Sequence, residues 1–429
     1  MSGDRGPSSA ISSRVLIMVK FNWLKWFLYF VIALLAPEVL KVVVAKANIP
    51  AGYLISIILL CLQTLLALAF IYYALFANIF RKKLNRRRLV AWFSISFFSF
   101  IVLLELLFTS WLYHPSRIPS GLRWSYKYYY DVYNFRILQY ERNAIRFDNE
   151  LLYTLKPGAA IEFSNAEFKT AVRVNKFGFR DDDSSAVAPE IICLGDSFTM
   201  GWGLDESQSF PGIIEKSTGK KVLNTGTPSY GTARELLLLE RLDTSRLKYI
   251  IIQYCANDKD ENLSFIGNNY KLDLTPLPVF KSTMNAYELS RKYFPGKNFL
   301  LISQLWMKQQ LNKVYPIFKL SGQPYNEEFD SREHASVFLE VLMKFRQRFG
   351  NVKFIVTDVD ISKYRNNTFI EELHHQTAAL GVEERKNIIF VNSAKDLTDK
   401  DYFLLDYHIR SSGHEKVAAS LIQAIKENP

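Results

Sequence analysis

The chain has 429 residues, enough for two or three structural units, because single domains commonly hold about 100–200 residues. A formal net charge of +11 raises the question of nucleic-acid binding. Six of the basic residues, however, fall together at 81–88 between two hydrophobic stretches, which indicates a membrane-topology signal. Nucleic acid is therefore set aside as a partner.

Residues 1–113 hold almost all of the long apolar runs. The runs at 53–80 and 89–113 are each long enough for a helix to cross a hydrocarbon core of about 30 Å. The segment at 20–44 carries lysines and a proline, so it is either a tilted span with snorkelling lysines or an interfacial helix, with the span favoured. We predict an all-α transmembrane region of about three helices, and hence a multi-pass protein in contact with the bilayer.

The basic cluster at 81–88 predicts the orientation of these spans, because such clusters stay on the cytoplasmic side. The third span then leaves the cytoplasm, and everything after His114 lies on the periplasmic or extracellular side. Glu105, within this span, has two interpretations: a functional intramembrane carboxylate, or a residue near the outer end that is solvated or paired with another helix. Its position favours the second.

The sequence pattern of residues 114–187 indicates a juxtamembrane connector followed by a small β extension. The connector is rich in tyrosines, which suits a chain leaving a membrane interface. Short alternating runs between 151 and 180, with a turn at Lys156-Pro157-Gly158, indicate the β extension.

From residue 188 to 429, apolar strand candidates alternate with amphipathic helix candidates. The strands are expected to be buried and parallel, because they are apolar on both faces; they are 191–194, 221–223, 249–254, 352–357 and 387–391. The helices are predicted at 210–218, 233–242, 336–348, 367–380 and 413–425. This alternation predicts an α/β domain with helices on both sides of a parallel sheet.

The stretch at 262–332 has no place in a minimal five-stranded unit. It is interpreted as an insert that forms a lid, a substrate-recognition element or a surface against the bilayer. The sequence does not decide among these three.

Cysteine and histidine usage limits metal and redox chemistry. Cys193 and Cys255 lie in strand-like segments, where buried thiols are favoured over a disulfide between neighbouring strands. No Cys/His cluster has the spacing of zinc ligands. We therefore predict neither a metal nor a cofactor.

The run Gly195-Asp196-Ser197-Phe198-Thr199 follows the first predicted strand of the domain. Ligands of open parallel sheets bind beyond the carboxyl ends of the strands, and a serine there becomes a nucleophile when a base activates it. Taken alone, the pentapeptide is equally compatible with a helix N-cap.

His408 is the best candidate for that base. It follows Asp406 by two residues in a loop before the final helix, so the carboxylate could accept the Nδ1 proton and leave Nε2 facing the serine. His414 is interpreted instead as a residue at the helix start, and the other histidines lie in the connector, the insert or predicted helices.

These blocks, in this order, resemble the SGNH/GDSL hydrolase superfamily: Gly195-Asp196-Ser197 resembles block one, Asn257-Asp258 block three, and Asp406 with His408 block five. The resemblance covers about residues 190–429 and implies a three-layer, flavodoxin-like hydrolase domain. It also implies that Ser197 is the nucleophile and an amide donor to the oxyanion, His408 the base and Asp406 the residue that orients it.

The resemblance further implies an oxyanion hole in which Asn257 supplies a side-chain donor. Ser229 occupies the position where the family often has its oxyanion glycine, with Gly231 as a second candidate. The third block departs from the family pattern, because cysteine and alanine precede Asn257 where a glycine is usual. Arg180 lies in a segment that precedes block one in many bacterial members; a contact with an acid at a domain interface is favoured over one with a substrate carboxylate.

Two enzymatic functions follow as expectations. The first is an esterase that removes acyl groups from a cell-envelope glycan or lipid through an acyl-Ser197 intermediate. The second is an O-acyltransferase or accessory protein of polysaccharide acylation that uses the same residues. A scaffold with an inactive hydrolase fold is disfavoured, because the serine, asparagine, aspartate and histidine are all present. The oligomeric state is not predicted.

Overall fold

A computed structural model describes residues 64–65, 68–69, 86–314 and 328–429. The predicted spans at 20–44 and 53–80 therefore lie outside the described residues, apart from the four positions 64–65 and 68–69. The chain divides into two compact units. The first takes in Met1–Trp111, Ser120–Ser125 and Glu288–Lys319, and the second Leu112–Pro119, Tyr126–Tyr287 and Leu320–Pro429.

The described part of the chain contains both helices and strands. The helices are α1 Arg86–Tyr113, α2 Arg123–Tyr129, α3 Ser197–Met200, α4 Phe210–Thr218, α5 Thr232–Leu239, α6 Asp258–Gly267, α7 Leu277–Ser290, α8 Lys297–Val314, α9 Ser331–Arg346, α10 Phe369–Ala378, α11 Val382–Arg385 and α12 Ser411–Glu427. The strands are β1 Ile145–Asp148, β2 Leu152–Leu155, β3 Ala160–Ser164, β4 Lys169–Arg173, β5 Ile191–Leu194, β6 Val222–Asn224, β7 Tyr249–Tyr254, β8 Lys353–Asp358 and β9 Ile388–Val391.

Helix α1 contains an apolar segment, Ser94–Tyr113, of 20 residues with a mean hydropathy of 2.0, long and apolar enough to cross a membrane. Within the described residues this is one candidate span, at the position of the third predicted one. A region of three transmembrane helices is therefore not supported by the part of the chain that the structure covers.

Glu105 of α1 is buried and caps the start of α8 within the first unit. Its Oε2 accepts a hydrogen bond from the Phe299 amide at 2.8 Å, and its Oε1 accepts one from the Tyr293 hydroxyl at 3.0 Å. The first amides of a helix lack intrahelical partners and favour a nearby negative charge. In this structure Glu105 thus holds another helix, as the second of its two interpretations expected.

The second unit is built on a five-stranded, fully parallel sheet with the order β6-β5-β7-β8-β9. This corresponds to the order 2-1-3-4-5 of flavodoxin-like sheets. The five strands begin and end within one residue of their predicted bounds. The predicted α/β class and parallel sheet are confirmed.

Alternate residues of the strands pack into two separate cores. Ile192, Leu194 and Ile250 belong to the core on one face, which α5, α9 and α10 cover. Ile191 and Cys193 belong to the core on the other face, which α4 and α12 cover. Since successive side chains of a strand point to opposite faces, apolar runs without alternation require this three-layer arrangement.

One helix begins well before its predicted start. Hydrophobic periodicity places the start of α9 at residue 336, whereas the helix begins at Ser331. The Asp330 carboxylate accepts hydrogen bonds from the Arg332 and Glu333 amides, at 3.0 and 3.2 Å. An aspartate cap of this kind satisfies orphan donors and favours a helix start at that position, although the apolar periodicity begins later.

The β extension consists of two antiparallel hairpins, β1 with β2 and β3 with β4. It begins six residues earlier than expected, since β1 starts at Ile145. The stretch predicted as one insert at 262–332 is shared between the units: it includes part of α6 and all of α7 and α8, and residues 288–319 belong to the first unit.

Candidate active site

Gly195 opens the site immediately after β5. Its φ is +154°, and an added Cβ would lie 2.0 Å from the Thr199 hydroxyl and 2.6 Å from the Gln253 side-chain oxygen, so only glycine fits. The Asp196 carboxylate then caps the short helix α3 by accepting a hydrogen bond from the Phe198 amide at 2.9 Å. These two residues place Ser197 at the mouth of the sheet.

A buried Ser–His–Asp array is formed by residues from the two ends of the domain. His408 Nε2 lies 2.7 Å from Ser197 Oγ, and His408 Nδ1 lies 2.5 Å from Asp406 Oδ1. The imidazole stacks on the Trp202 ring, with centroids 4.8 Å apart and planes at 19°. The structure thus brings together the three residues that the sequence singled out, with the imidazole between the hydroxyl and the carboxylate.

The Asp406 carboxylate is surrounded by donors. Its Oδ2 accepts hydrogen bonds from the Tyr130 hydroxyl at 2.6 Å and from Trp202 Nε1 at 3.2 Å, and its Oδ1 also accepts from the His408 amide at 3.1 Å. Burial by itself raises the pKa of Asp406, but His408 and the Tyr130 hydroxyl together hold that pKa below its ordinary value. The carboxylate is therefore ionised over the working range of a histidine base.

The loop that carries Asp406 is fixed by Glu167, from the turn between β3 and β4. The Glu167 carboxylate accepts hydrogen bonds from three successive amides, those of Leu404, Leu405 and Asp406, at 2.8, 2.6 and 2.9 Å. The sequence analysis predicts neither Glu167 nor Tyr130 as a residue of the site. The tyrosine-rich connector was interpreted only as an interfacial segment, and no motif marks Glu167.

On the other side of Ser197, Asn257 and Ser229 line the cavity. Asn257 Oδ1 is buried and has no hydrogen-bond partner among the described residues. Ser229 is held at φ +60°, and its hydroxyl accepts a hydrogen bond from Gln139 Nε2 at 2.9 Å. An asparagine amide and a loop backbone at the cavity wall are the groups that an oxyanion hole requires.

Gly231, the second oxyanion candidate, is placed differently. Its amide donates a hydrogen bond to Glu261 Oε1 at 3.1 Å, and it is not among the residues that line the cavity. Gly231 lies immediately before α5, at its N-cap position. Of the two alternatives for this position, the structure brings Ser229, and not Gly231, to Ser197.

Asp360 contacts the turn before Asn257, where the sequence has cysteine and alanine in place of the glycine usual in block three. One of its oxygens accepts a hydrogen bond from the Ala256 amide at 2.8 Å, and the other one from the Ile361 amide at 2.6 Å. The thiol of Cys255 lies 3.4 Å from the same carboxyl group. This carboxyl group holds the turn before Asn257, so the backbone there needs no glycine. Cys193 and Cys255 are both free, buried thiols.

Arg180 supports the turn after Ser197. It is buried, and its guanidinium donates hydrogen bonds to the carbonyls of Met200 and Gly201, at 3.1 and 2.7 Å. Gly201 has a φ of +83° and ends α3. The hydrogen bonds of Arg180 within the described chain go to backbone carbonyls, so its expected contact with an interface acid or a substrate carboxylate stays a prediction.

The cavity at Ser197 has a volume of about 270 Å³. Its walls are mostly aromatic and aliphatic, and a few polar groups stand among them. The lining residues are Asp131, Phe135, Ile137, Gln139, Asp196, Ser197, Phe198, Trp202, Pro228, Ser229, Cys255, Asn257, Ile361, Tyr407 and His408. Burial raises the pKa of the cavity-lining Asp131 to about 7. Among the described residues, no group of three or more His, Cys, Asp and Glu side chains is arranged to hold a metal.

His414 lies apart from this chemistry. Its Nδ1 accepts a hydrogen bond from the Phe210 amide at 3.1 Å, and its ring stacks on the Phe210 ring. Burial lowers the pKa of His414 to about 3, so the ring stays neutral. It belongs to the contact between α12 and α4, in agreement with its interpretation as a residue at the helix start.

No family model and no curated protein matches the chain. Several solved structures match it with probability 1.00. A carbohydrate esterase family 2 enzyme with a carbohydrate-binding domain, from Corynascus thermopiles (Myceliophthora fergusii), is 12% identical, with 56% of this chain and 67% of that chain covered and a TM-score of 0.33.

Two further matches are similarly distant. The acetyl xylan esterase Est2A from Butyrivibrio proteoclasticus is 12% identical, with 60% of this chain and 66% of that chain covered and a TM-score of 0.32. A lipolytic protein of the G-D-S-L family from Desulfitobacterium hafniense is 16% identical, with 54% of this chain and 97% of that chain covered and a TM-score of 0.26. Similarity this weak assigns no activity, so the chemistry of the protein follows from its own site.

That site combines three features: a parallel sheet of flavodoxin-like order, a serine on the turn after its first strand, and a histidine and aspartate on the loop before its last helix. Each functional block follows the strand or precedes the helix that the sequence pattern expects. The order of the sheet and the geometry of the site resemble those of serine hydrolases of the SGNH/GDSL type.

Proposed function

We propose that the protein is a membrane-anchored serine esterase that hydrolyses acyl esters of a cell-envelope glycan or lipid outside the cytoplasm. The observation that carries the proposal is the continuous hydrogen-bonded array from Asp406 through His408 to Ser197, at the wall of a largely apolar cavity. An unactivated serine is a poor nucleophile, and this array supplies the base that it needs.

In the first half of the reaction, Ser197 Oγ attacks the ester carbonyl while His408 Nε2 takes the hydroxyl proton. The ionised Asp406 stabilises the imidazolium that forms and keeps its Nδ1 proton directed at Oδ1. The Asn257 amide and the backbone at Ser229 donate to the carbonyl oxygen as it becomes negative. The imidazolium then protonates the leaving alcohol, and the acyl group stays on Ser197.

In the second half, water takes the place of the alcohol. His408 accepts a proton from the water as it attacks the acyl carbonyl, and returns a proton to Ser197 Oγ as the carboxylic acid leaves. The apolar walls formed by Phe135, Phe198 and Trp202 exclude bulk water, which strengthens each of these interactions. The small cavity suits a short acyl chain, and its aromatic wall suits the uncharged part of the ester.

The test compares the full-length chain in detergent with Ser197→Ala. We expect the unaltered protein to release p-nitrophenol from p-nitrophenyl acetate and to be labelled by a fluorophosphonate probe, and the variant to do neither. Ser393→Ala is the matched control, because Ser393 is also a buried serine but bonds Thr357 and not a histidine. Absence of both turnover and labelling in the unaltered protein contradicts the proposal.

The same preparation separates hydrolysis from acyl transfer. Turnover is measured with acetyl, butyryl and octanoyl esters, with and without an added polysaccharide acceptor. The proposal expects the acetyl ester to react fastest and the acyl group to appear as free acid. Recovery of the acyl group on the polysaccharide instead would assign the alternative function, an O-acyltransferase with the same nucleophile.

The location outside the cytoplasm is a separate part of the proposal. It is supported by the apolar segment Ser94–Tyr113 of α1 and by the basic residues at 81–88 that precede this segment. A C-terminal alkaline phosphatase fusion should be active and a C-terminal green fluorescent protein fusion dark in a Gram-negative host that exports through the Sec pathway. The reverse pattern would place the domain in the cytoplasm.

A further inference from the structure

The juxtamembrane part of the chain contributes a segment that contacts the aspartate and the histidine of the catalytic array and the loop that carries Ser229. The connector segment, residues 130–139, begins with the π-helical turn Tyr130–Asn134 and continues to Gln139. Phe135, Ile137 and Gln139 line the cavity at Ser197. This segment lies outside the part of the chain that resembles the hydrolase family, which begins near residue 190.

Tyr130 contacts the aspartate of the array. Its hydroxyl donates to Asp406 Oδ2 at 2.6 Å, while Asp406 Oδ1 faces His408 Nδ1 at 2.5 Å. The side chains of Tyr130 and Asp406 are both completely or almost completely buried. A phenol buried against a carboxylate donates a charge-assisted hydrogen bond, about twice as strong as a bond between neutral groups.

The π-helical turn explains how one short segment reaches two residues of the array. The Phe135 amide donates to the Tyr130 carbonyl at 2.6 Å, which closes the wide turn. Phe135 is thereby placed with its ring nearly parallel to the His408 ring, at 6.5 Å between centroids and 19° between planes. Wide turns of this kind are rare and occur frequently at functional sites.

The third contact is on the oxyanion side. Gln139 Nε2 donates to the Ser229 hydroxyl at 2.9 Å, and Ser229 is held in the left-handed region. The segment therefore touches the aspartate, the histidine and the oxyanion loop. Packing alone explains the Phe135 contact, but a phenylalanine would fill the space of Tyr130 equally well, so packing does not explain its hydroxyl.

We propose that Tyr130 is a positioning residue of the catalytic centre: its hydroxyl fixes the Asp406 carboxylate and, through it, the orientation of the His408 ring. The connector segment is then part of the catalytic machinery as well as a link to the membrane anchor. This inference rests on the proposed esterase function, because it assigns a role within that reaction.

The test is Tyr130→Phe in the full-length chain, which keeps the ring and removes only the hydroxyl. We expect kcat to fall about 10-fold with little change in KM, since a hydrogen bond to a buried charge is lost and part of its contribution is needed in the transition state. Tyr140→Phe is the matched control, because Tyr140 follows the segment and its hydroxyl contacts none of the three residues of the array. Thermal unfolding is followed for both variants.

A pH profile distinguishes positioning from packing. Because the Tyr130 hydroxyl helps to hold the pKa of Asp406 low, its removal raises that pKa, and the acidic limb of kcat/KM moves to higher pH. The titratable groups around the pair come from every neighbouring element: Asp131 and Tyr130 of the connector segment, Glu167, Asp196, Tyr407 and His414. None of them is altered in Tyr130→Phe except the phenol itself.

A double-mutant cycle with Asp406→Asn gives the decisive result. If Tyr130 acts through Asp406, Tyr130→Phe has less than about a twofold effect when Asp406 is already an asparagine. An equal effect in both backgrounds, or no change in kcat and pH profile in the single variant, overturns the inference. Absence of Ser197-dependent turnover in the unaltered protein is a different outcome, because it contradicts the esterase function itself.

Discussion

The two sides of Ser197 differ in how their buried carboxyl groups are satisfied. On the histidine side, Asp406 accepts from four donors, and its pKa lies below the ordinary value. On the asparagine side, Asp258 directly follows Asn257; within the described chain one of its oxygens has no partner, and both oxygens of Glu235 lack one. Burial raises the pKa of Asp258 and Glu235 well above their ordinary values.

This difference matches the charges that the proposed reaction creates. An imidazolium forms beside Asp406, so a negative charge there lowers the barrier. An oxyanion forms beside Asn257, where ionised carboxylates would repel it. Burial is common to both sides, and the neighbouring His408 together with the hydrogen-bond donors favours the charged form of Asp406.

Removal of the charge on the histidine side has the largest expected effect. Asp406→Asn should reduce kcat about 10³–10⁴-fold, because the amide no longer holds the productive imidazole tautomer. Asp399→Asn is the control. Asp399 lies in the loop before Asp406, and its exposed carboxylate pairs with Arg365. Turnover of p-nitrophenyl acetate provides the measurement. Retention of more than about a tenth of kcat would contradict the role given to the Asp406 charge beside His408.

Loss of the donor on the asparagine side comes next. Asn257→Ala should lower kcat about 10²–10³-fold while KM stays within a few-fold, since the donor acts on the charge that develops in the transition state. Asn268→Ala, at the far end of α6, should change neither value. A rise in KM without a fall in kcat would assign Asn257 to substrate binding instead.

The unpartnered carboxyl groups predict a dependence of stability on pH. The pKa of Glu235 is raised well above 4.5 in the folded protein, so its favourable contribution is complete below about pH 4.5 and is lost as the pH rises toward the folded value. Glu235→Gln should therefore reduce the loss of stability between about pH 5 and 8, by on the order of 1 kcal/mol.

The measurement for Glu235→Gln is thermal unfolding in detergent across that pH range. Asp406→Asn has the opposite sign: the contribution of the carboxylate is present above its unfolded pKa and is lost as the pH falls through its lowered folded value. Equal pH slopes for Glu235→Gln and the unaltered protein would show that Glu235 is ionised, and would remove the difference between the two sides.

The smallest effect is expected at Ser229. Its φ of +60° costs a residue with a Cβ about 1 kcal/mol, which glycine avoids. Ser229→Gly keeps the backbone amide, so kcat should stay within about threefold while the midpoint of thermal unfolding is unchanged or higher. Ser229→Val, with a branched Cβ at the same φ, is the contrasting variant. A large loss of kcat in Ser229→Gly would assign the serine hydroxyl a role of its own.

Much of the fold was predictable because its signals are local. The five strands are short, apolar on both faces and bounded by polar turns, and their bounds were expected to within one residue. The start of α9 was missed, because the cap at Asp330 competes with the hydrophobic periodicity that guided the prediction. The region before residue 86 lies almost wholly outside the described residues, so two of the three expected spans stay predictions.

The candidate site was predictable only in part. Ser197, Asn257, Asp406 and His408 lie at strand ends or before a helix, positions that the alternating pattern itself marks. The choice between Ser229 and Gly231 required the structure, since it depends on which amide Glu261 already engages. Tyr130 and Glu167 carry no local signal, because their roles arise from contacts across 276 and about 240 residues of chain.

The sequence by itself determined the five strands of the sheet and their order along the chain, and with them which edge of the sheet carries the reactive residues, because hydrophobic periodicity and turn chemistry are read within a few residues. Tertiary structure alone decided how many donors reach each buried carboxyl group, that Ser229 and not Gly231 lines the cavity, and that the connector segment reaches Asp406. Those properties depend on burial and on donors brought from distant parts of the chain, and no local pattern encodes either.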